Sequence, residues 1–121
     1  MRFYTCPACN QLYVKLIDKN NDMKCCEIPL KNLAFNRNMK KDNEHYPVIR
    51  KIGNFLTIEV NENHPMVDAH HISVIFLETT QGFQFKNITH DSPQAEFILG
   101  MEEKIKNIHL YCNIHFIWSV Y

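Results

Sequence analysis

Apolar and polar positions alternate along residues 54–60, NFLTIEV. Leu56, Ile58 and Val60 fall on one side and Phe55, Thr57 and Glu59 on the other, the period of a half-buried strand. Residues 70–79, HHISVIFLET, and 107–121, NIHLYCNIHFIWSVY, are rich in β-branched and aromatic side chains and predict further strands. Gly53, Gly82, NENHP at 61–65 and HDSPQ at 90–94 punctuate these runs. Residues 94–107, QAEFILGMEEKIKN, read as strand–turn–strand about Gly100, or as a helix in which Glu102 and Lys106 form an i,i+4 pair. Short strands at this spacing predict a β-sandwich.

The first third of the chain has a different texture. RFYTCPACNQLYVKLID predicts two short strands around a cysteine turn, and MKCCEIPLKNL returns with two adjacent cysteines. Its apolar residues are few, chiefly Phe3, Leu12, Val14, Leu16, Ile17, Ile28 and Leu30. A unit this small needs a metal or a disulfide to hold its fold. Residues 34–44, AFNRNMKKDNE, are polar and read as a linker or exposed loop. The expected organisation is a small metal domain over 1–35 and a sandwich over 36–121.

Charge and hydropathy narrow the function. The 121 residues carry 13 Lys and Arg against 13 Asp and Glu, which argues against a nucleic-acid partner. No apolar run approaches the roughly 18 residues of a membrane span. MRFYTCPACN lacks the apolar core of a signal peptide, so a soluble cytoplasmic protein is expected, with its thiols reduced. Five cysteines and seven histidines then make metal binding the first hypothesis.

Cys6 and Cys9 form a CxxC, and fifteen residues separate Cys9 from the adjacent pair Cys25 and Cys26. Two such pairs make a tetrahedral sulfur site suited to iron or zinc, closed to substrate. Two disulfides or four free thiols are the alternative. His45, His64, His70, His115 and Cys112 are a second candidate group, although spacing alone does not assemble them. Read singly, Cys112 is core packing and each histidine is a surface or hydrogen-bonded residue.

CPAC through MKCC, with its fifteen-residue gap, together with EHYPVI, HPMVDAHHI and YCNIHFIW, resembles the desulfoferrodoxins, the two-domain superoxide reductases. The resemblance covers nearly the whole chain. It implies a desulforedoxin-like domain with iron, or zinc, in Cys6, Cys9, Cys25 and Cys26. It also implies an immunoglobulin-like all-β sandwich holding iron in four equatorial imidazoles, His45, His64, His70 and His115, with Cys112 as axial thiolate. The implied activity is one-electron reduction of superoxide to hydrogen peroxide. The implied partners are a rubredoxin-like electron donor and a second copy in a homodimer.

Three positions depart from the family pattern. Where Glu-Lys usually precedes the first ligand, this chain has Asn43 and Glu44. Glu44 opposes an anionic substrate and is a candidate cap on ferric iron. Lys41, with Arg37, Lys40, Arg50 and Lys51 against Asp42 and Glu44, gives a net +3 stretch that would restore attraction, or is simply a solvated loop. Phe116 replaces the usual Gly after the last ligand, and is expected to disturb the Cys112 loop if φ there is positive. His71 stands where an aromatic is common, and is expected to point away from His70. His90 and His109 match no motif and are expected at the surface.

Overall fold

A computed structural model describes residues 2–17, 19, 22–36, 46–60, 64–89 and 91–121. The chain divides into two compact units, Met1–Ala34 and Phe35–Tyr121. All the regular structure among the described residues is β.

In the first unit, β1 (Arg2–Thr5) pairs antiparallel with β2 (Leu12–Lys15). The intervening CxxC turn is closed by amide bonds from Asn10 to Cys6 O, 2.9 Å, and from Cys6 to Gln11 O, 3.0 Å. β3 (Lys24–Cys25) and β4 (Ile28–Pro29) form a hairpin, and β5 (Lys31–Asn32) returns to β1. The β3–β4 loop is two residues, Cys26 and Glu27, with φ of 54° and 61°. That is the mirror-image turn tight hairpins favour, built here without glycine. Only Phe3, Thr5 and Cys6 are buried among the described residues of this unit.

The second unit is the expected immunoglobulin-like sandwich. One sheet runs in the order β10 (Gln94–Ile98), β7 (Phe55–Glu59), β6 (Val48–Ile52). The other runs β12 (Phe116–Ser119), β11 (Ile105–Cys112), β8 (Ile72–Thr79), β9 (Phe83–Asn87). The alternation of residues 54–60 is realised: Leu56, Ile58 and Val60 enter the core, and Phe55 faces out. Residues 94–107 are strand–turn–strand, not a helix. Ala95, Phe97 and Leu99 bury at period two, and Glu102 turns the chain at φ 61°. The core joins these to Ile75 and Leu77 of β8, Ile108 and Leu110 of β11, and Trp118.

A bulge sits where the sheet reaches the histidines. Tyr111 pairs with Val74 but Cys112 pairs with Ile72, so β8 carries one extra residue. Plain alternation would put Ile75 and Ile72 on opposite faces. The bulge returns Ile72 to the core and re-aims the chain leading back to His70.

Two expectations change here. His109 is not at the surface: it is 4 % exposed, donates its Nε2–H to Glu78 Oε1 at 3.3 Å, and packs its ring against that of Phe35. It lies on the face of β11 that carries Tyr111, a face covered rather than solvated. The start of the 34–44 stretch is not free linker either, since Phe35 and Asn36 engage the sandwich. Its remainder, and His90, lie outside the described residues.

Candidate metal centres

The first centre gathers Cys6, Cys9, Cys25 and Cys26, whose sulfurs all lie within 4.8 Å of one another. Sγ of Cys9 is 3.6 Å from that of Cys25, and Sγ of Cys25 is 3.9 Å from that of Cys26. These are not disulfide distances, and all five cysteines of the chain are free. A tetrahedron with metal–sulfur bonds of about 2.3 Å has edges of about 3.8 Å, so the donors fit zinc or iron. Backbone N–H groups of Cys9 and Ala8 point at the Cys6 sulfur and lower its thiol to about 7. The neighbouring sulfurs of Cys9 and Cys25 push the Cys26 thiol up to about 12. One thiolate is therefore easy to form and four require a cation. The Tyr13 hydroxyl hydrogen-bonds Cys25, a contact that the sequence did not flag.

The second centre is assembled by turns. His64 is buried at 2 % exposure before Pro65. His70 closes a tight turn in which Val67 and His70 exchange both backbone hydrogen bonds at 3.0 Å. Cys112 ends β11 at 0 % exposure, and His115 sits in the three-residue turn to β12. Their donor atoms lie within 4.8 Å of one another. The ring centroids of His64 and His70 are 4.8 Å apart, those of His70 and His115 5.0 Å, and those of His64 and His115 6.5 Å. Three imidazoles thus stand at three corners of a rough square, with the longest separation across the diagonal. His45, the fourth imidazole the resemblance implies, lies outside the described residues, as do Lys41 and Glu44.

The donor chemistry fits a metal. His64 donates Nδ1–H to Pro65 O at 2.8 Å, which fixes the tautomer and leaves the Nε2 lone pair for coordination. Nε2 of His70 is buried and makes no hydrogen bond among the described residues. Burial raises the Cys112 thiol, and the backbone N–H groups of His115 and Ile114 pull it back. Its sulfur is 3.6 Å from His115 Nδ1. A thiol so placed ionises readily only against a cation.

Asn113 binds the two ligand segments together. Its Oδ1 accepts from the His71 amide at 2.8 Å and its Nδ2 donates to Ala69 O at 3.1 Å. Its own amide donates to His71 O at 3.2 Å. The sequence offered a clue, a short amide side chain inside a turn, but not the partner. His71 stays out of the cluster, its Nδ1 donating to Val67 O at 3.0 Å. Phe116 does adopt the left-handed region, φ 61°, yet the turn closes and Cys112 pairs with Phe116.

Fold and site together define a two-unit all-β protein with one thiolate cluster and one histidine–cysteine cluster. Residues 37–121 match the family described as Desulfoferrodoxin. The chain is 30% identical over 119 residues to the desulfoferrodoxin of Nitratidesulfovibrio vulgaris, covering 96% of this chain and 92% of that one. It is 28% identical over 121 residues to a desulfoferrodoxin homolog of Archaeoglobus fulgidus, covering 98% and 95%. The superoxide reductase of Treponema pallidum shares the fold at TM-score 0.79 and 21% identity, over 98% of this chain and 94% of that chain. The Giardia intestinalis superoxide reductase aligns at TM-score 0.53 and 27% identity, over 64% and 95%. The protein belongs to the desulfoferrodoxin family.

Proposed function

We propose that the protein is a superoxide reductase, in which superoxide takes up one electron and two protons and leaves as hydrogen peroxide. Iron held by His64, His70, His115 and Cys112, with His45 as the fifth ligand, supplies the electron when bound. The observation that carries this reading is the fully buried Cys112 converging with three imidazoles whose donor atoms lie within 4.8 Å of one another. His70 and His115 are only half-buried, so the cluster is open to a small anion at these two imidazoles. Burial and the amides of Ile114 and His115 keep water from the sulfur and fix its position. Lys41 and the neighbouring basic residues would draw the anion in, and Glu44 would cap the bound iron between turnovers, at the cost of slower association.

Cys6, Cys9, Cys25 and Cys26 would hold iron in the first unit, and that iron would relay electrons from a rubredoxin-like donor. The same unit contributes to a homodimer contact, a reading supported by its exposed Leu16 and Ile17, 66% and 74% accessible. Five free thiols suit a reducing, cytoplasmic setting.

The test is superoxide decay after pulse radiolysis on iron-loaded protein. His115→Ala or Cys112→Ser should abolish reduction, and Cys9→Ser should leave it largely intact. Activity surviving in His115→Ala, or lost in Cys9→Ser with the sandwich folded, would overturn the assignment. A second reading, a slow family member serving mainly to carry electrons, is favoured by the acidic Glu44 next to His45. Under it, Glu44→Lys should raise the rate, and an unchanged rate removes that explanation.

A further inference from the structure

The turn that carries two of the ligands is closed by a residue in an unfavourable conformation. Phe116 has φ 61°, a region where a bulky L-residue is a genuine outlier. The geometry is imposed by the hairpin: three residues separate Cys112 from its partner Phe116, and such loops end on a left-handed residue, ordinarily glycine. Phe116 gains little from burial in return, being 44% exposed. Something else must hold this backbone where it is.

Asn36 is placed to do so. Its backbone N–H donates to Ile117 O at 2.7 Å, and its side-chain Nδ2 donates to His115 O at 3.1 Å. These are the carbonyls of the residues immediately before and after Phe116. Two hydrogen bonds from one residue therefore grip both sides of the strained position. If Phe116 relaxed to negative φ, the His115 carbonyl would turn relative to the Ile117 carbonyl and at least one bond would be lost. Phe35 anchors the clamp by packing against the buried His109, ring centroids 4.9 Å apart.

We propose that Asn36 is a positioning residue that enforces the left-handed Phe116 and so holds His115 and Cys112 in register for their metal. It touches no metal and no substrate. The clamp replaces, with two hydrogen bonds, the conformational freedom a glycine would supply. It does not depend on which metal binds or on what the loaded centre reduces.

A double-mutant cycle tests it, on the full chain, with Asn36→Ala, Phe116→Gly and the pair. Two readouts are taken. The first is the denaturant midpoint of the metal-free protein, with the amide-to-α-proton coupling of residue 116 reporting its φ. The second is the rate at which excess chelator withdraws ferrous iron, read on the phase that His70→Ala eliminates. Alone, Asn36→Ala should lower the midpoint, shift the residue 116 coupling and speed withdrawal by about tenfold. In the Phe116→Gly background, the same change should speed withdrawal less than about threefold and leave the coupling unmoved. Asn36→Asp, which keeps the shape and loses the donor, should behave like Asn36→Ala. Equal effects in both backgrounds would make Asn36 an ordinary tether and overturn the proposal, as would a silent Asn36→Ala. If the histidine site takes no iron, the withdrawal phase is missing from all the proteins, which counts against the superoxide reductase reading. The metal-free midpoints and the coupling then still decide the clamp.

Discussion

At the scale of single residues, both centres depend on left-handed positions not filled by glycine. Asn10, Cys26 with Glu27, and Phe116 each directly follow a residue of one of the two candidate metal clusters, with φ between 54° and 62°. The reason is geometric: a turn that points two donors at one ion must reverse within a few residues, and a left-handed residue at its end is a common way to close such a turn. The side chains differ in how they tolerate it. Asn occupies this region easily, whereas Glu carries a penalty of about 1 kcal/mol or more. Glu27→Gly should therefore raise the stability of the metal-loaded first unit by up to about 1 kcal/mol, part of the relief being offset by the greater freedom of glycine in the unfolded chain. Asn10→Gly should give almost nothing. Urea titration followed through the thiolate–metal absorption distinguishes them. An equal gain at both positions would show that Glu27 is not strained.

At the scale of elements, period-two alternation marked β7, and β-branched and aromatic content marked the two longest strands, β8 and β11. At 94–107 the sequence left strand–turn–strand and helix both open, and the structure decides it: Phe97 and Leu99 bury and Glu96 and Ile98 do not. The four-cysteine cluster was legible through motif spacing and the histidine–cysteine cluster only through the family resemblance, and the braces of the second were legible through neither. Asn113 and Asn36 act across 42 to 79 residues of sequence, and no local pattern encodes such a partner. His109 was misread because the outer face of β11 is covered, which alternation on one strand does not reveal. Its burial has a consequence for pH. Burial lowers the His109 value below its ordinary 6.5, and Glu78 opposes the shift. The unfolded chain then binds the proton more readily than the folded one. The contribution is complete above pH 6.5 and is lost as the pH falls through the window below it. His109→Gln should thus lessen the drop in denaturant midpoint between about pH 7.5 and pH 5.5, measured on metal-free protein beside the wild type. A drop of unchanged size would mean that His109 takes up its proton equally well when folded.

At the scale of the whole molecule, the two units have opposite ratios of metal to core. The sandwich buries a cluster of fourteen residues, including Trp118, the only tryptophan of the chain. The first unit buries three among its described residues, and one of these is the ligand Cys6. With so little apolar burial, its folding free energy has to come largely from ligation, as in other small metal domains. The sandwich closes on side chains, so its fold does not call for ligation. Metal removal should therefore separate the units. A strong chelator, or Cys9→Ser, should abolish the thiolate–metal absorption and render residues 1–34 protease-sensitive. The near-UV dichroism of the buried Trp118 should persist, and its denaturant midpoint should move little. Loss of the Trp118 signal together with the metal would show that the sandwich also requires ligation to fold, and would place the stability of its ligand turns in the ion rather than in Asn36 and Asn113.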